Sequence, residues 1–154
     1  MHNAVVISDS SCVILFTKID ELDILRLVYD HIYVTQEIAR EIGNALPEWV
    51  EVKEVHNKAL QSSFEETLDI GEASALALAF EIPDCAVILD DMKARKSAEK
   101  LKIRVTGSIG IILIAKKLGK IPSVKAVFEQ IRKTNFRISD RIINEAIKAA
   151  DESP

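Results

Sequence analysis

The sequence of 154 residues predicts an α/β fold, in which helices cover both faces of a central, mainly parallel sheet of four to five strands. The first observation is that short β-branched runs, such as residues 5–7, alternate with longer segments whose apolar residues recur at helical spacing. The second is that 48% of the residues are hydrophobic and 29% are charged, a balance typical of globular domains. The length suits one domain with its own core. We therefore expect a single three-layer αβα domain over residues 1–154.

The first half of the chain predicts three strands and five helices. The predicted elements are a strand at 5–7, a helix at 12–18, a helix from 20 or 21 to about 29, a strand at 31–34, a helix from the cap Thr35 to the stop at Gly43-Asn44, a short strand at 49–52, a helix at 57–67 and a helix at 72–80. The helix at 72–80 is rich in alanine and apolar on most sides, so we expect it to be buried.

The second half predicts two more strands and four more helices. They are a strand at 86–89, a helix at 93–101, a strand at 103–105, a helix at 107–118 closed by Gly119, and helices at 123–134 and 140–150. Right-handed crossovers between parallel strands place the carboxyl ends of the strands along one edge, where α/β proteins bind ligands. We therefore look for functional residues immediately after the strands.

Charge is distributed unevenly along the chain. Residues 1–91 hold five Lys or Arg against 18 Asp or Glu, whereas residues 92–137 hold 13 Lys or Arg against two Asp or Glu. A segment nearly free of acids predicts binding of a polyanion, although solvated lysines on helix surfaces are the common alternative for any single residue.

Several functional classes find no support in the sequence. The longest uncharged apolar stretch, residues 105–115, is too short to span a bilayer, and the N-terminus has no basic region of the kind that begins a signal peptide. We therefore predict a cytoplasmic protein, with Cys12 and Cys85 as reduced core thiols. The three histidines show no metal-ligand spacing.

Acidic residues follow two of the predicted strands. Asp9 follows the first strand, and the pair Asp90-Asp91 follows the strand at 86–89, so both groups are expected at the same edge of the sheet. Glu72 lies in the first turn of the buried helix, and Glu37 and Glu41 lie one turn apart on an earlier helix. Carboxylates gathered in one crevice repel each other, and a hard cation such as Mg²⁺ or Mn²⁺ relieves this repulsion. Such a metal activates water for hydrolysis of a phosphate ester.

Each of these acids also has a purely structural interpretation. Asp9 is a suitable turn or cap residue, Glu72 favours a helix dipole, and either Asp90 or Asp91 is suited to cap the next helix while the other faces a metal.

The neighbouring polar and basic residues carry the same two interpretations. Ser10 and Ser11 are most simply N-caps, although hydroxyls and amides beside Asp9 also suit a phosphate. Lys93, Arg95 and Lys96 follow directly on the acid pair, so they either reach a phosphate backbone or form an exposed helix face.

Five motifs together carry a family resemblance. They are Val-Ile-Ser-Asp9-Ser-Ser, Val-Thr-Gln-Glu-Ile-Ala-Arg-Glu41-Ile, Leu-Asp-Ile-Gly71-Glu72-Ala, Leu-Asp90-Asp91 with Lys93-Ala-Arg95, and Val-Thr106-Gly107-Ser108-Ile-Gly110. In this order they resemble the PIN domain, the nuclease fold of VapC-type toxins, from about Ala4 to Arg137.

The resemblance implies a catalytic set on Asp9, Glu41, Glu72, Asp90 and Asp91, with Glu37 as the rival of Glu41. Asp9, Glu72, Asp90 and Asp91 would be the metal ligands. The third acid is often Asp in the family and is Glu72 here, and a pair replaces the single late Asp.

The resemblance further implies an activity and partners. The expected activity is an Mg²⁺- or Mn²⁺-dependent endoribonuclease acting on single-stranded RNA, as the toxin of a toxin–antitoxin pair that forms a homodimer and is silenced by a small antitoxin. The alternative is a nucleic-acid-binding PIN-like module with little or no catalysis. A phosphatase with an aspartyl nucleophile is disfavoured, because Ser11 stands where that class carries a second Asp.

Overall fold

A computed structural model describes residues 5–152, so His2 and both ends of the predicted 1–154 domain lie outside the described residues. Its core is one five-stranded parallel sheet in the order β3-β2-β1-β4-β5. The strands are β1 (Val5–Ser8), β2 (Ile32–Thr35), β3 (Val50–Lys53), β4 (Cys85–Ile88) and β5 (Arg104–Thr106). The predicted α/β class is confirmed, with five strands.

Nine helices accompany the sheet in the described part of the chain. They are α1 (Ser10–Lys18), α2 (Asp23–Tyr29), α3 (Gln36–Ile42), α4 (Lys58–Phe64), α5 (Ile70–Ala79), α6 (Met92–Lys100), α7 (Ser108–Lys117), α8 (Val124–Arg132) and α9 (Asp140–Ala149). The predicted ends of α3 and α7 are confirmed, because Gly43 and Gly119 both adopt positive φ angles, of 74° and 72°. None of these helices is long and apolar enough to cross a membrane.

The core is built from aliphatic residues on both the sheet and the helices. Ile7 of the central strand β1 and Val87 of β4 are fully buried, and α5 is buried along most of its length from Gly71 to Ala79, as predicted. Full burial of one such aliphatic side chain stabilises a fold by about 1.5–3 kcal/mol. Cys12 and Cys85 are buried free thiols, which confirms their predicted state.

Two predictions about helix starts are wrong. Helix α2 begins at Asp23 rather than at residue 20 or 21, because Asp20 has a φ of 58° and the Glu21 N–H donates to the carbonyl of Phe16, so these residues form a turn that closes α1. Ser10 and Ser11 lie inside α1, and the residue that caps it is Asp9.

Candidate functional site

Asp9 joins the ends of the two central strands. Its backbone N–H donates to the Ile88 carbonyl at 3.0 Å, which continues the pairing of β1 with β4 beyond the strands themselves. Its carboxylate Oδ1 accepts from the Cys12 N–H at 3.0 Å, and Oδ2 accepts from the Asp90 N–H at 3.0 Å. The side chain is only 5% exposed. Asp9 therefore caps α1 and holds the backbone of Asp90 in place. Each of its carboxylate oxygens keeps a second lone pair for a further ligand.

Asp90 is held by the start of α7. Its Oδ1 accepts from the Ser108 N–H at 2.8 Å, and its Oδ2 accepts from the Ser108 hydroxyl at 2.6 Å. Asp91 instead caps α6, accepting from the Ala94 N–H at 3.0 Å. Asp91 is thus the N-cap of α6, whereas Asp90 contacts Asp9 through its backbone N–H.

Glu72 and Glu41 lie on two helices that pack against each other. Glu72 forms a capping box with Asp69, in which the Glu72 N–H donates to Asp69 Oδ1 at 2.8 Å. The Glu41 carboxylate lies directly against the Cα of Gly71, so a methyl group at that position would clash with it. Glu37 is directed elsewhere, since its carboxylate accepts from Gln61 Nε2 at 2.8 Å. Of the two rivals, Glu41 is therefore the one beside the Glu72 helix turn.

Burial and neighbouring negative charges raise the pKa values of two carboxylates at this edge, Asp9 and Glu72. Burial, followed by the negative charge of Asp90, raises the pKa of Asp9 to about 7 against the lowering effect of its two backbone donors, and Glu72 adds to the rise. Burial also raises the pKa of Glu72 to about 7, with contributions from Asp69, Asp91 and then Glu41. We call Asp9, Glu41, Glu72, Asp90 and Asp91 the acidic cluster. Among residues 5–152, no three His, Cys, Asp or Glu side chains are grouped closely enough to form a ready metal-ligand set.

Arg95 is the basic residue placed closest to this cluster by the contacts seen. Its Nη1 donates to the Leu89 carbonyl at 3.3 Å, and the side chain is half-buried. A methyl group at Gly107 would clash with Arg95 Nη1 and would lie 3.0 Å from Asp90 Oδ1, so this glycine lets the guanidinium and the carboxylate share one corner.

The other residues predicted to bind nucleic acid show no such contact. Lys93 and Lys96 are exposed on α6, and Ser10 is partly exposed in the first turn of α1. Their predicted roles stay predictions.

Two important residues were underestimated from the sequence. Ser108 was predicted only as part of a family motif and not as a site residue, yet it donates two hydrogen bonds to Asp90. Asp69 was not a candidate, although the pattern Asp-x-x-Glu from Asp69 to Glu72 is the sequence signature of a capping box.

The chain was compared with known proteins. The profile of a protein family described as a PIN domain matches residues 5–152, which is the whole described part of the chain. A search of curated protein sequences finds no match. The chain therefore belongs to the PIN-domain family. PIN domains are generally nucleases, so the family indicates a nuclease-type hydrolase with a nucleic-acid substrate.

Proposed function

We propose that this PIN domain is an Mg²⁺- or Mn²⁺-dependent endoribonuclease that hydrolyses phosphodiester bonds of single-stranded RNA. The observation that carries the proposal is the junction of Asp9 and Asp90 at the ends of the two neighbouring strands β1 and β4, where the Asp90 N–H donates to the Asp9 carboxylate. This is the edge of a parallel sheet at which α/β proteins bind ligands.

The chemistry of the acidic cluster fits a hard divalent cation. Asp9 and Asp90 would hold it, and Glu72 would move closer to add a third carboxylate, with Asp91 and Glu41 in the same electrostatic field. Carboxylate oxygens are the ligands that Mg²⁺ and Mn²⁺ prefer, and a cation would offset both the burial and the repulsion that raise the pKa values of Asp9 and Glu72 to about 7. When bound, the metal supplies an activated water and neutralises charge on the phosphate.

The residues around the cluster have separate tasks in this proposal. Ser108 positions Asp90 through two hydrogen bonds, so that its carboxylate does not rotate when a cation or substrate arrives. Arg95, the cation next to Asp90 across Gly107, is suited to bind a non-bridging phosphate oxygen of the RNA. Lys93 and Lys96 extend this positive surface along α6, and Ser10 offers a hydroxyl beside Asp9.

Partners are part of the same proposal. We propose that the protein is the toxin of a toxin–antitoxin pair, working in the cytoplasm as a homodimer and silenced by a small protein. The resemblance to VapC-type sequences supports this, as do the exposed apolar residues Ile70 and Phe80, which are 56% and 53% exposed at the two ends of α5. Sedimentation of the purified protein tests the dimer. A monomer at micromolar concentration would contradict that part of the proposal.

Metal-dependent cleavage is the direct test of the activity. Purified protein should cleave single-stranded RNA with Mg²⁺ or Mn²⁺ and stop when a chelator is added. Asp9→Asn should lower the rate by at least about 100-fold while the far-UV circular dichroism stays unchanged. The matched control is Asp23→Asn, the same change on the exposed first turn of α2, which should cleave as the wild type does.

Two results would contradict the proposal. Equal cleavage by Asp9→Asn would show that the activity belongs to a contaminant. RNA binding without metal-dependent turnover would favour the alternative, a nucleic-acid-binding module. A phosphatase with Asp9 as nucleophile remains disfavoured, because Ser11 stands where that class carries a second Asp.

A further inference from the structure

A groove runs from the acidic cluster to the far end of the chain. It is about 480 Å³ in volume and begins at Asp90 and Arg95. Its lining also includes the connector between α8 and α9 (residues 133–139), through Phe136 and Arg137. The volume is within the range of about 300–1,000 Å³ typical of ligand pockets. The connector, which lies more than forty residues after Asp91 in the sequence, thus contributes to the same groove as Asp90.

The lining of the groove combines apolar side chains, here called its floor, with charged side chains, here called its rim. The floor includes Ile109 and Leu113 of α7 and the 39% exposed Ile142 of α9. The rim carries the guanidinium groups of Arg95 and Arg137. An apolar floor suits a nucleotide base, and a cationic rim suits the phosphates on either side of it.

A second groove lies on the other side of the same connector. It has a volume of about 240 Å³, is lined by Ser11 and Lys18 of α1, and shares Phe136 with the first groove. Lys18 Nζ donates to Asn135 Oδ1 at 3.0 Å, which fixes the connector to α1. Both grooves therefore border the connector at Phe136, and the first also contains Asp90 of the acidic cluster.

We propose that the α8–α9 connector is part of the substrate-binding surface, and that Arg137 binds a phosphate of a single-stranded RNA whose neighbouring base lies on the apolar floor of the first groove. This rests on the proposed function, and it adds to that function a residue outside the acidic motifs. The charges are complementary, since Arg137 ends the basic segment 92–137 while the RNA backbone is anionic. A base that is paired inside a duplex cannot reach the floor, so the groove selects unpaired strands.

Binding of a fluorescent oligonucleotide tests the proposal directly. The full chain carrying Asp9→Asn is titrated, without metal, into a single-stranded RNA of about ten nucleotides, and Kd is read from anisotropy at several salt concentrations. Adding Arg137→Gln should weaken binding about 5- to 10-fold at low salt and reduce the slope of log Kd against log salt by about 0.7, the loss of one phosphate contact to a single strand. A duplex of the same sequence should bind at least about tenfold more weakly than the single strand.

Arg141→Gln is the matched control. It removes the same charge from α9 at a position that is 82% exposed and does not line the groove, so its Kd should stay within about twofold of the Asp9→Asn parent. Equal effects of Arg137→Gln and Arg141→Gln would overturn the proposal, because they would show only an effect of net charge. Equal affinity for the duplex would overturn it as well. A dimer that dissociates on Ile142→Asp, with RNA binding unchanged, would assign the groove to a second copy of the chain and also overturn it.

Cleavage by the wild-type protein, measured separately, distinguishes this proposal from the proposed function. If the protein cleaves RNA but Arg137→Gln leaves RNA binding unchanged, only the proposed role of the groove is refuted. If binding of single strands depends on Arg137 but no cleavage is found, only the proposed nuclease activity is refuted.

Discussion

Asp9 and Glu152 are both carboxylates withdrawn from solvent, and the fold surrounds them with opposite partners. Glu152, just after α9, accepts from the Val124 N–H at 2.7 Å and from the Ser123 hydroxyl at 2.9 Å, and it pairs with Lys116 at 3.0 Å. Burial alone would raise its pKa, but these donors outweigh burial and lower the pKa to about 2. Asp9 has two backbone donors and, within residues 5–152, no ion-pair partner, and its pKa rises to about 7.

The difference shows where the fold supplies its own cation and where it does not. At Glu152 the lysine, the hydroxyl and the start of α8 complete the electrostatics, so the carboxylate fastens α7, α8 and the end of the chain together. At Asp9 the neighbouring groups are further acids, so the negative charge is left for a ligand to neutralise. The first arrangement is typical of a structural contact and the second of a binding site.

The largest expected effect is that Asp9 and Glu152 contribute to the free energy of unfolding with opposite pH dependence. The folded pKa of Asp9 is about 7 against an ordinary 3.8, so without metal the protein should lose stability, on the order of a few kcal/mol, as the pH rises from about 4 to about 7. For Glu152 the folded pKa of about 2 lies below the ordinary 4.5, so its stabilisation is present above pH 4.5 and is lost as the pH falls towards 2.

Urea unfolding in a chelator, at a series of pH values, measures both slopes. Asp9→Asn should reduce the slope between pH 4 and 7, with the remainder due to Glu72, and should leave the acid limb unchanged. Glu152→Gln should flatten the acid limb and leave the slope between pH 4 and 7 unchanged. A wild-type stability that rises steadily from pH 4 to 7, with Asp9→Asn behaving identically, would refute the contrast.

Gly107→Ala should lower RNA cleavage by about 100-fold, because the new methyl group displaces Arg95 and crowds Asp90 Oδ1. That loss corresponds to about 3 kcal/mol of transition-state stabilisation. The backbone at Gly107 has a φ of −126°, which alanine adopts without strain, so the melting temperature should change little.

A double-mutant cycle with Arg95→Gln checks the cause of the Gly107→Ala loss. The two losses should be less than additive, because both act on the same guanidinium. Full additivity would show that the glycine does not act through Arg95.

Glu152→Gln should lower the free energy of unfolding by about 2 kcal/mol at pH 7, because it weakens hydrogen bonds to a charged acceptor and removes the pairing with Lys116. Chemical denaturation measures the loss, and cleavage per folded molecule should not change. Glu145→Gln on α9 is the control, since that side chain is 67% exposed and should contribute no more than about 0.5 kcal/mol. Equal losses of stability in the two variants would contradict the structural role of Glu152 in joining α7 and α8.

Gly71→Ala should give the smallest change, a fall in cleavage of roughly tenfold, because the methyl group pushes the flexible Glu41 carboxylate away from Glu72. Stability should hold or rise by about 0.5–1 kcal/mol, since alanine favours a helix more than glycine does. Glu37→Gln is expected to keep the wild-type cleavage rate, because Glu37 is bonded to Gln61 instead. Unchanged cleavage in Gly71→Ala would remove Glu41 from the acidic cluster.

The fold was largely predictable because its signals are local. β-branched runs define the strands, Thr35 caps α3 through its hydroxyl, and Gly43 and Gly119 end helices in the left-handed region. The start of α2 was mispredicted because the turn before it depends on a positive φ at Asp20. An aspartate adopts this conformation only occasionally, so its presence in the sequence does not indicate such a turn.

The candidate site was only partly predictable, because its choices depend on distant contacts. The division of roles between Asp90 and Asp91 follows from Ser108, which only the pairing of β4 with β5 brings into reach. The choice between Glu37 and Glu41 depends on a distant contact, since Gln61 of α4 donates a hydrogen bond to Glu37. Periodicity places residues on a helix face but does not say which neighbour that face meets.

The hydrogen bond from the Asp90 N–H to Asp9 also determines the point in synthesis at which the acidic cluster can form. Its two ends are 81 residues apart, and Asp90 is held in turn by Ser108, so the cluster cannot assemble until Ser108 has left the ribosome. A chain interrupted before β5 would carry Asp9 and Glu72 but lack the donors that hold Asp90 in place. Fragments that end before α7 are therefore expected to lack the proposed nuclease activity.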